Sequence, residues 1–391
     1  MTGEKGLDKE DNKKWNKITP HSTPIFQTSV FDYPDLETLD DFYNGKIVGG
    51  YLYSRNGLPN STELGKQVAE LERTDSGLTC SSGMGALLVA FLSILGSGDE
   101  VVASSDLYGG TLVLLKDELS RLGIKSTFVD ASSIQKITEA INRKTKLVLI
   151  ESISNPAMKV ADIGRIAKIA HGMGSILVVD NTFATPFVVR PSELGADLVM
   201  HSGTKFLGGN GDITIGVLCG SSELVKRASQ FCTRSGVIAG PFDCWLATRS
   251  LSTWKVRMEK SCANALRLAK YLETRSDKIS KVYYPGLGSH PQNGLAKKIF
   301  DKGVFGGMLS FDLKGGLVAA SAFAKLLAGK LTITPSLGGV RTTISHPGKT
   351  SHRYITPEER KESGITDAMI RVSVGIEDYD SIEAEFGKSL G

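Results

Sequence analysis

The chain has 391 residues, with 46 Lys and Arg against 42 Asp and Glu, a formal net charge of +4. So small an excess over this length forms no concentrated basic face, which sets aside nucleic acid as the main partner. Apolar residues make up 41% and charged residues 23%, an ordinary globular balance, and the length exceeds what one hydrophobic core usually serves.

No apolar run approaches the roughly 20 residues that span a bilayer, so no membrane contact is expected. Met1 to Trp15 is rich in Lys, Asp and Glu and has no apolar signal core, which predicts a cytoplasmic protein. Cys80, Cys219, Cys232, Cys244 and Cys262 are odd in number and form no C-x-x-C pair. They read as buried, inert thiols of a reducing compartment, and no metal is called for.

In chain order, residues 1–60 are polar, hold Pro20, Pro24, Pro34 and Pro59, and contain Gly49-Gly50. They read as an extended arm that either frays or lies on the surface of a neighbouring subunit. From Ser61 or Thr62, either able to cap a helix, Leu64, Val68 and Leu71 recur at helical spacing. Cys80-Ser81-Ser82-Gly83 follows, then an apolar helix through Leu95. Strands are expected at Val101 to Ala103, Leu147 to Ile150, Ile176 to Val179, Asp197 to Met200 and Ile213 to Leu218. Helical patterns lie between several of them, at Ile134 to Asn142 and Ile163 to His171. This alternation predicts an α/β protein with a mainly parallel sheet covered on both faces, spanning residues 61–250. A long helical stretch, Pro241 to Leu272, leads into a smaller α+β domain over residues 251–391, with strands at Met308 to Leu313 and Met369 to Val374.

Four clusters fall at strand ends, a helix start or the arm, and ligands of such sheets sit at the carboxyl ends of the strands. Asp180, after the strand Ile176 to Val179, offers an anion to a pyridine nitrogen, although an Asp there also caps turns. Lys205, in His201-Ser202-Gly203-Thr204-Lys205-Phe206, suits a Schiff base with an aldehyde cofactor, with hydroxyls beside it for phosphate oxygens. A lone lysine is more often a solvated one. The pairing matters more: an Asp and a Lys ending two successive strands share one crevice. Ser81-Ser82-Gly83-Met84-Gly85, at a helix start, forms an anion cradle or a simple cap. Tyr53 and Arg55 in the arm suit a second phosphate clamp, serving a neighbouring subunit.

Taken together, the motifs resemble the pyridoxal-phosphate (PLP) enzymes of Cys/Met metabolism, over about Thr23 to Asp378. They are Tyr53-Ser-Arg-Asn-Gly-Leu-Pro-Asn, Ser82-Gly-Met, Asp106-Leu-Tyr-Gly-Gly-Thr, Glu151-Ser-Ile-Ser-Asn-Pro, Asp180-Asn-Thr, Ser202-Gly-Thr-Lys, Ser336-Leu-Gly-Gly and Arg371-Val-Ser-Val-Gly-Ile-Glu. The resemblance implies the type I PLP-transferase fold, of aspartate-aminotransferase type, in a homotetramer of two active dimers. It implies that Lys205 holds pyridoxal 5'-phosphate and shuttles protons, that Asp180 pairs with the ring nitrogen, and that Tyr108 stacks on the ring as an acid or base. Ser82, Gly83, Met84, Ser202 and Thr204 would bind the phosphate, joined by Tyr53 and Arg55 of a partner subunit. Arg371, helped by Asn155 and Ser336, would hold the substrate carboxylate. The activity implied is γ-elimination from methionine, homocysteine or cystathionine, or alternatively γ-replacement on an O-acylhomoserine. Cystathionine-handling members tend to carry Glu where this chain has Leu52 and Pro335, which favours an apolar distal end such as that of methionine. Typical methionine γ-lyases carry Cys where this chain has Gly110, which points the other way.

Overall fold

The computed structural model describes residues 20–301 and 303–391. Its larger sheet has seven strands: β1 (Ser76–Cys80), β2 (Glu100–Ser104), β3 (Lys125–Val129), β4 (Thr145–Glu151), β5 (Ile176–Asp180), β6 (Leu198–Ser202) and β7 (Gly216–Gly220). They lie in the order β1-β7-β6-β5-β4-β2-β3. The pairs from β3 through β6 are parallel, while β7 runs antiparallel to both β6 and β1. The sheet is therefore mainly parallel, as expected, with one reversed strand. The reversal is local: the chain leaves β6 and returns as β7 beside it, with no crossover helix between.

Alternation along the central strands divides two cores. Leu147, Leu149, Val178 and Leu198 pack into one, under the helix Gly83–Ile94. Val148, Ile150, Leu177 and Val179 pack into the other. That second core runs on through the helix Pro241–Thr274 to a five-stranded sheet. Its strands are β8 (Ile279–Tyr283), β9 (Met308–Leu313), β10 (Thr332–Ile333), β11 (Thr343–Ser345) and β12 (Met369–Ser373), ordered β10-β11-β12-β9-β8.

The register sets Glu151 opposite Asp180 at the ends of β4 and β5, and Asp180 opposite Met200 on β6. The carboxyl ends of three neighbouring strands thus open side by side. Behind them, on the opposite face, lies a buried polar chain. The His201 ring contacts Glu72 at 2.6 Å, Asn181 donates to the same Glu72 oxygen at 2.7 Å, and Ser152 donates to Asn181 at 2.8 Å. It ties the helix Pro59–Glu72 to β6 and to the turns leaving β4 and β5.

Several expectations are corrected. The helix after the arm starts at Pro59, not at Ser61 or Thr62. Proline suits a first helical position, where its missing N–H has no partner to lose. Ser61 instead accepts the Leu58 N–H at 2.9 Å from within the first turn. The arm is not wholly extended, because Leu36–Tyr43 is helical, capped by Asp35, which accepts the Thr38 N–H at 2.7 Å. β7 begins at Gly216, so Ile213 and Ile215 are buried ahead of the strand. The stretch Met1 to Trp15 lies outside the described residues. All five cysteines are free and buried. Among the described residues, no helix is long and apolar enough to cross a membrane.

Two buried histidines make the fold acid-sensitive. Burial is the main cause that pulls His290 and His352 down to about 4, so both are neutral when folded. An unfolded chain protonates them near the ordinary value of 6.5. Their contribution is present above that pH and is lost as pH falls towards 4, by about 3 kcal/mol for each. His290→Gln, whose carboxamide can still accept the Gln292 N–H, is expected to melt with a shallower pH dependence between those limits. Thermal melts across that range, wild type against variant, check it; parallel curves would refute it.

Candidate active site

A cavity of about 230 Å³ lies where the strand ends of the large sheet face the small one. It is lined by Ser82, Gly83, Met84, Tyr108, Asn155, Asp180, Ser202, Thr204, Lys205 and Arg371, with Glu151, Thr182, Pro335 and Leu337 between them. All but three of the expected site residues therefore meet here, drawn from the large sheet's edge and from β12 and the segment before β11.

Lys205 follows β6 on a turn. Its Nζ donates to Ser336 Oγ at 3.0 Å, which brings Ser336 to the cavity edge. Burial, then the charge of Arg371, lowers the amine below the usual lysine range and favours its neutral, nucleophilic form. Asp180 Oδ1 accepts the Thr182 N–H at 2.9 Å, and Thr182 Oγ1 accepts the Ser202 N–H at 2.9 Å. Thr182 thereby locks the end of β5 to that of β6. Burial raises the Asp180 carboxyl, against the Thr182 hydrogen bonds and the positive pull of His201. A cation placed beside it would restore the ionised form.

Arg371, in the middle of β12, is 2% exposed. Its Nη1 donates to Asn155 Oδ1 at 2.9 Å, while Nη2 is buried with no partner. Burial drives it down to about 10, against the pull of Tyr108 and Glu151. An unpaired buried guanidinium nitrogen at a cavity wall calls for an anion, and a carboxylate matches its fork.

The hydroxyls divide by task. Ser82 caps the helix Gly83–Ile94 by accepting the Gly85 N–H at 3.0 Å. Thr204 Oγ1 accepts the Ile215 N–H at 3.0 Å and braces the lysine turn. The first-turn N–H groups of the helix, at Gly83 and Met84, lie beside Ser202, and a Cβ on Gly83 would sit 2.7 Å from Ser202 Cβ. A helix start packed this closely against the lysine turn is an anion cradle. Anion cradle, amine of lowered pKa, buried carboxylate and unpaired guanidinium together fit pyridoxal phosphate carrying an amino-acid substrate.

Tyr53 and Arg55 do not reach the cavity of their own chain. They sit on and beside the short turn Ser54–Asn56, where the Arg55 guanidinium lies 5.6 Å from the Tyr53 ring and donates to Thr233 O at 3.4 Å. Sequence reasoning missed Glu151 as a site residue, although it opens one of the quoted motifs. One of its oxygens accepts the Tyr108 N–H at 2.7 Å and the other the Asn155 N–H at 2.9 Å. Burial and the nearby Asp180 charge push its carboxyl well up. Thr182 was also missed; its signal was its place directly after Asp180-Asn181.

These parts and this fold define a PLP-dependent enzyme of the type I class. The chain belongs to the Cys/Met metabolism PLP-dependent enzymes, whose family model matches residues 7–391. It is 38% identical over 371 residues to an L-methionine γ-lyase of Fusobacterium nucleatum, covering 94% of this chain and 92% of that one. It is 41% identical over 370 residues to the cystathionine γ-lyase of Bacillus subtilis, covering 94% of each. Among solved structures, a Campylobacter jejuni protein with N'-pyridoxyl-lysine-5'-monophosphate superposes with a TM-score of 0.89 at 30% identity, over 94% of this chain and 95% of that one.

Proposed function

We propose that the enzyme performs γ-elimination on a sulfur amino acid, with methionine fitting best. Water and the thioether give a thiol, 2-oxobutanoate and ammonia, with loss of protons from Cα and Cβ and cleavage of the Cγ–S bond. When bound, the cofactor serves as the electron sink for charge developing at Cα. Arg371, oriented by Asn155, holds the substrate carboxylate through its unpartnered Nη2. Lys205 Nζ would take the Cα proton and pass protons between substrate carbons. Ser336, 3.0 Å from that nitrogen, steadies it. Asp180 would partner the ring nitrogen, Tyr108 would stand against the ring, and Gly83, Met84 and Ser202 would hold the phosphate, with Ser82 and Thr204 shaping the loops that do so.

The observation that carries the choice of substrate is the state of the cavity's carboxylates. Only Glu151 and Asp180 line it among the described residues. Both Glu151 oxygens accept backbone N–H groups, and Asp180 is held for the ring. None is left for the second ammonium of cystathionine, while Pro335 and Leu337 present apolar surface. Tyr53 and Arg55, turned away from their own cavity, complete the phosphate site of a neighbouring copy in a homotetramer of two active dimers. The five free thiols suit a cytoplasmic enzyme.

The holoenzyme is expected to release 2-oxobutanoate and ammonia from methionine, and more slowly from cystathionine, with homocysteine as the third substrate of the panel. If none of the three yields an oxo acid while an O-acylhomoserine with a thiol reacts, the enzyme is a γ-replacement catalyst instead.

A further inference from the structure

Tyr108 is 41% exposed, and among the described residues no hydrogen bond to its hydroxyl fixes it. Its place over the cavity must come from its backbone. One hold is already described, the Glu151 carboxylate on its N–H. The other comes from outside the cavity. His352, 1% exposed in the loop after Pro347–Lys349, places Nε2 3.2 Å from the carbonyl oxygen of Leu107. Its Nδ1 lies 2.9 Å from Ser351 Oγ. A carbonyl can only accept, so Nε2 carries the proton and Nδ1 takes one from the serine. The same loop presses on the next residue: a Cβ on Gly109 would sit 2.2 Å from Ser351 O, so only glycine fits.

We propose that His352 is a positioning residue that pins the peptide ahead of Tyr108 to the C-terminal sheet domain, and so sets where the Tyr108 ring stands. Leu107, Tyr108 and Gly109 are then gripped in succession, by His352, Glu151 and the Ser351 backbone. The grip is also a link between layers. His352 and Arg371 belong to the same C-terminal region, so the group that captures the carboxylate and the group that places the ring share one support. The groups that bear on the His352 ring are Arg371 and Arg360, the Leu107 carbonyl and Ser351. Both arginines are cations and favour the neutral ring, the form the hydrogen bond needs. The inference rests on Tyr108 acting at the cofactor, as in the proposed reaction, but its structural part does not depend on the substrate.

The test compares His352→Leu, which removes the donor at similar volume, with His352→Gln, whose carboxamide can donate to the same carbonyl. Hydrogen exchange of residues 105–112 is followed in both apo- and holoenzyme, with the visible circular dichroism of the bound cofactor and the kinetics on the best substrate. His352→Leu is expected to exchange faster in that segment, to lose cofactor ellipticity, and to drop in kcat by about tenfold with little change in KM, as small misplacements of reacting groups do. His352→Gln should recover most of all three. If exchange and ellipticity in the leucine variant match wild type, or if glutamine restores melting temperature without restoring them, the proposal is overturned. Should His352→Leu fail to fold, Gly109→Ala pushes the next residue away from the same loop and must give the same exchange signature. Absence of γ-elimination on every thioether would sink the proposed reaction yet leave the exchange result standing.

Discussion

Lys205→Ala is expected to yield a folded protein without the visible absorption of lysine-bound cofactor, and with activity lower by about 10³-fold or more, since proton transfer by a positioned side chain alone contributes at this scale. Both losses follow from one atom. Nζ lies in the cavity beside Ser336, and burial with the Arg371 charge lowers it below the usual lysine range. No other lysine lines that cavity among the described residues, so nothing can take its place. Absorbance after dialysis against pyridoxal phosphate, with far-ultraviolet dichroism as the folding control, decides the matter. A variant that keeps the visible band would remove Lys205 from its role.

Arg371→Leu attacks a different step. The substitution removes the proposed carboxylate clamp and leaves Asn155 Oδ1 without its donor. Truncating one partner of a buried, hydrogen-bonded charge pair costs about 3 kcal/mol, on the order of a 10²-fold fall in kcat/KM. The visible band should survive, because no cofactor anchor is touched. Arg371→Lys is expected to recover little, since a single ammonium cannot reproduce two parallel N–H donors. A kcat/KM within a few-fold of wild type would show that the carboxylate is held elsewhere. The two variants therefore separate cofactor attachment from substrate capture by spectrum alone.

Much of this site was legible from residue order. Asp180 and Lys205 end adjacent strands, and strand ends can be read from apolar runs such as Ile-Leu-Val-Val and Leu-Val-Met. The helix start at Ser82-Gly83 carried its own capping signal. What stayed hidden was the work of groups that bond to backbone. Glu151 and His352 act on peptide N–H and C=O groups, and no side-chain pattern announces those partners. β1 (Ser-Gly-Leu-Thr-Cys) and β3 (Lys-Ser-Thr-Phe-Val) escaped notice because each is short and has few large apolar residues to mark it. The reversed β7 escaped because direction is set by the connection, not by composition. Gly110 was read only as a missing cysteine. In the structure the Tyr108 ring occupies its side-chain space, 2.6 Å from where a Cβ would stand.

The division of the cavity between two regions couples the wall of the pocket to its chemistry. The proposed anchors for the cofactor lie on strand ends and a helix start beside the large sheet, with Thr182 locking β5 to β6 and the buried chain of Glu72, His201, Asn181 and Ser152 behind them. Pro335, Ser336, Leu337 and Arg371 arrive from the C-terminal sheet. Pro335 and Leu337 present apolar surface to the cavity on either side of Ser336, whose hydroxyl meets Lys205 Nζ, so one short stretch bears on both the pocket wall and the amine. A change at Pro335 or Leu337 therefore reaches the amine through one intervening residue.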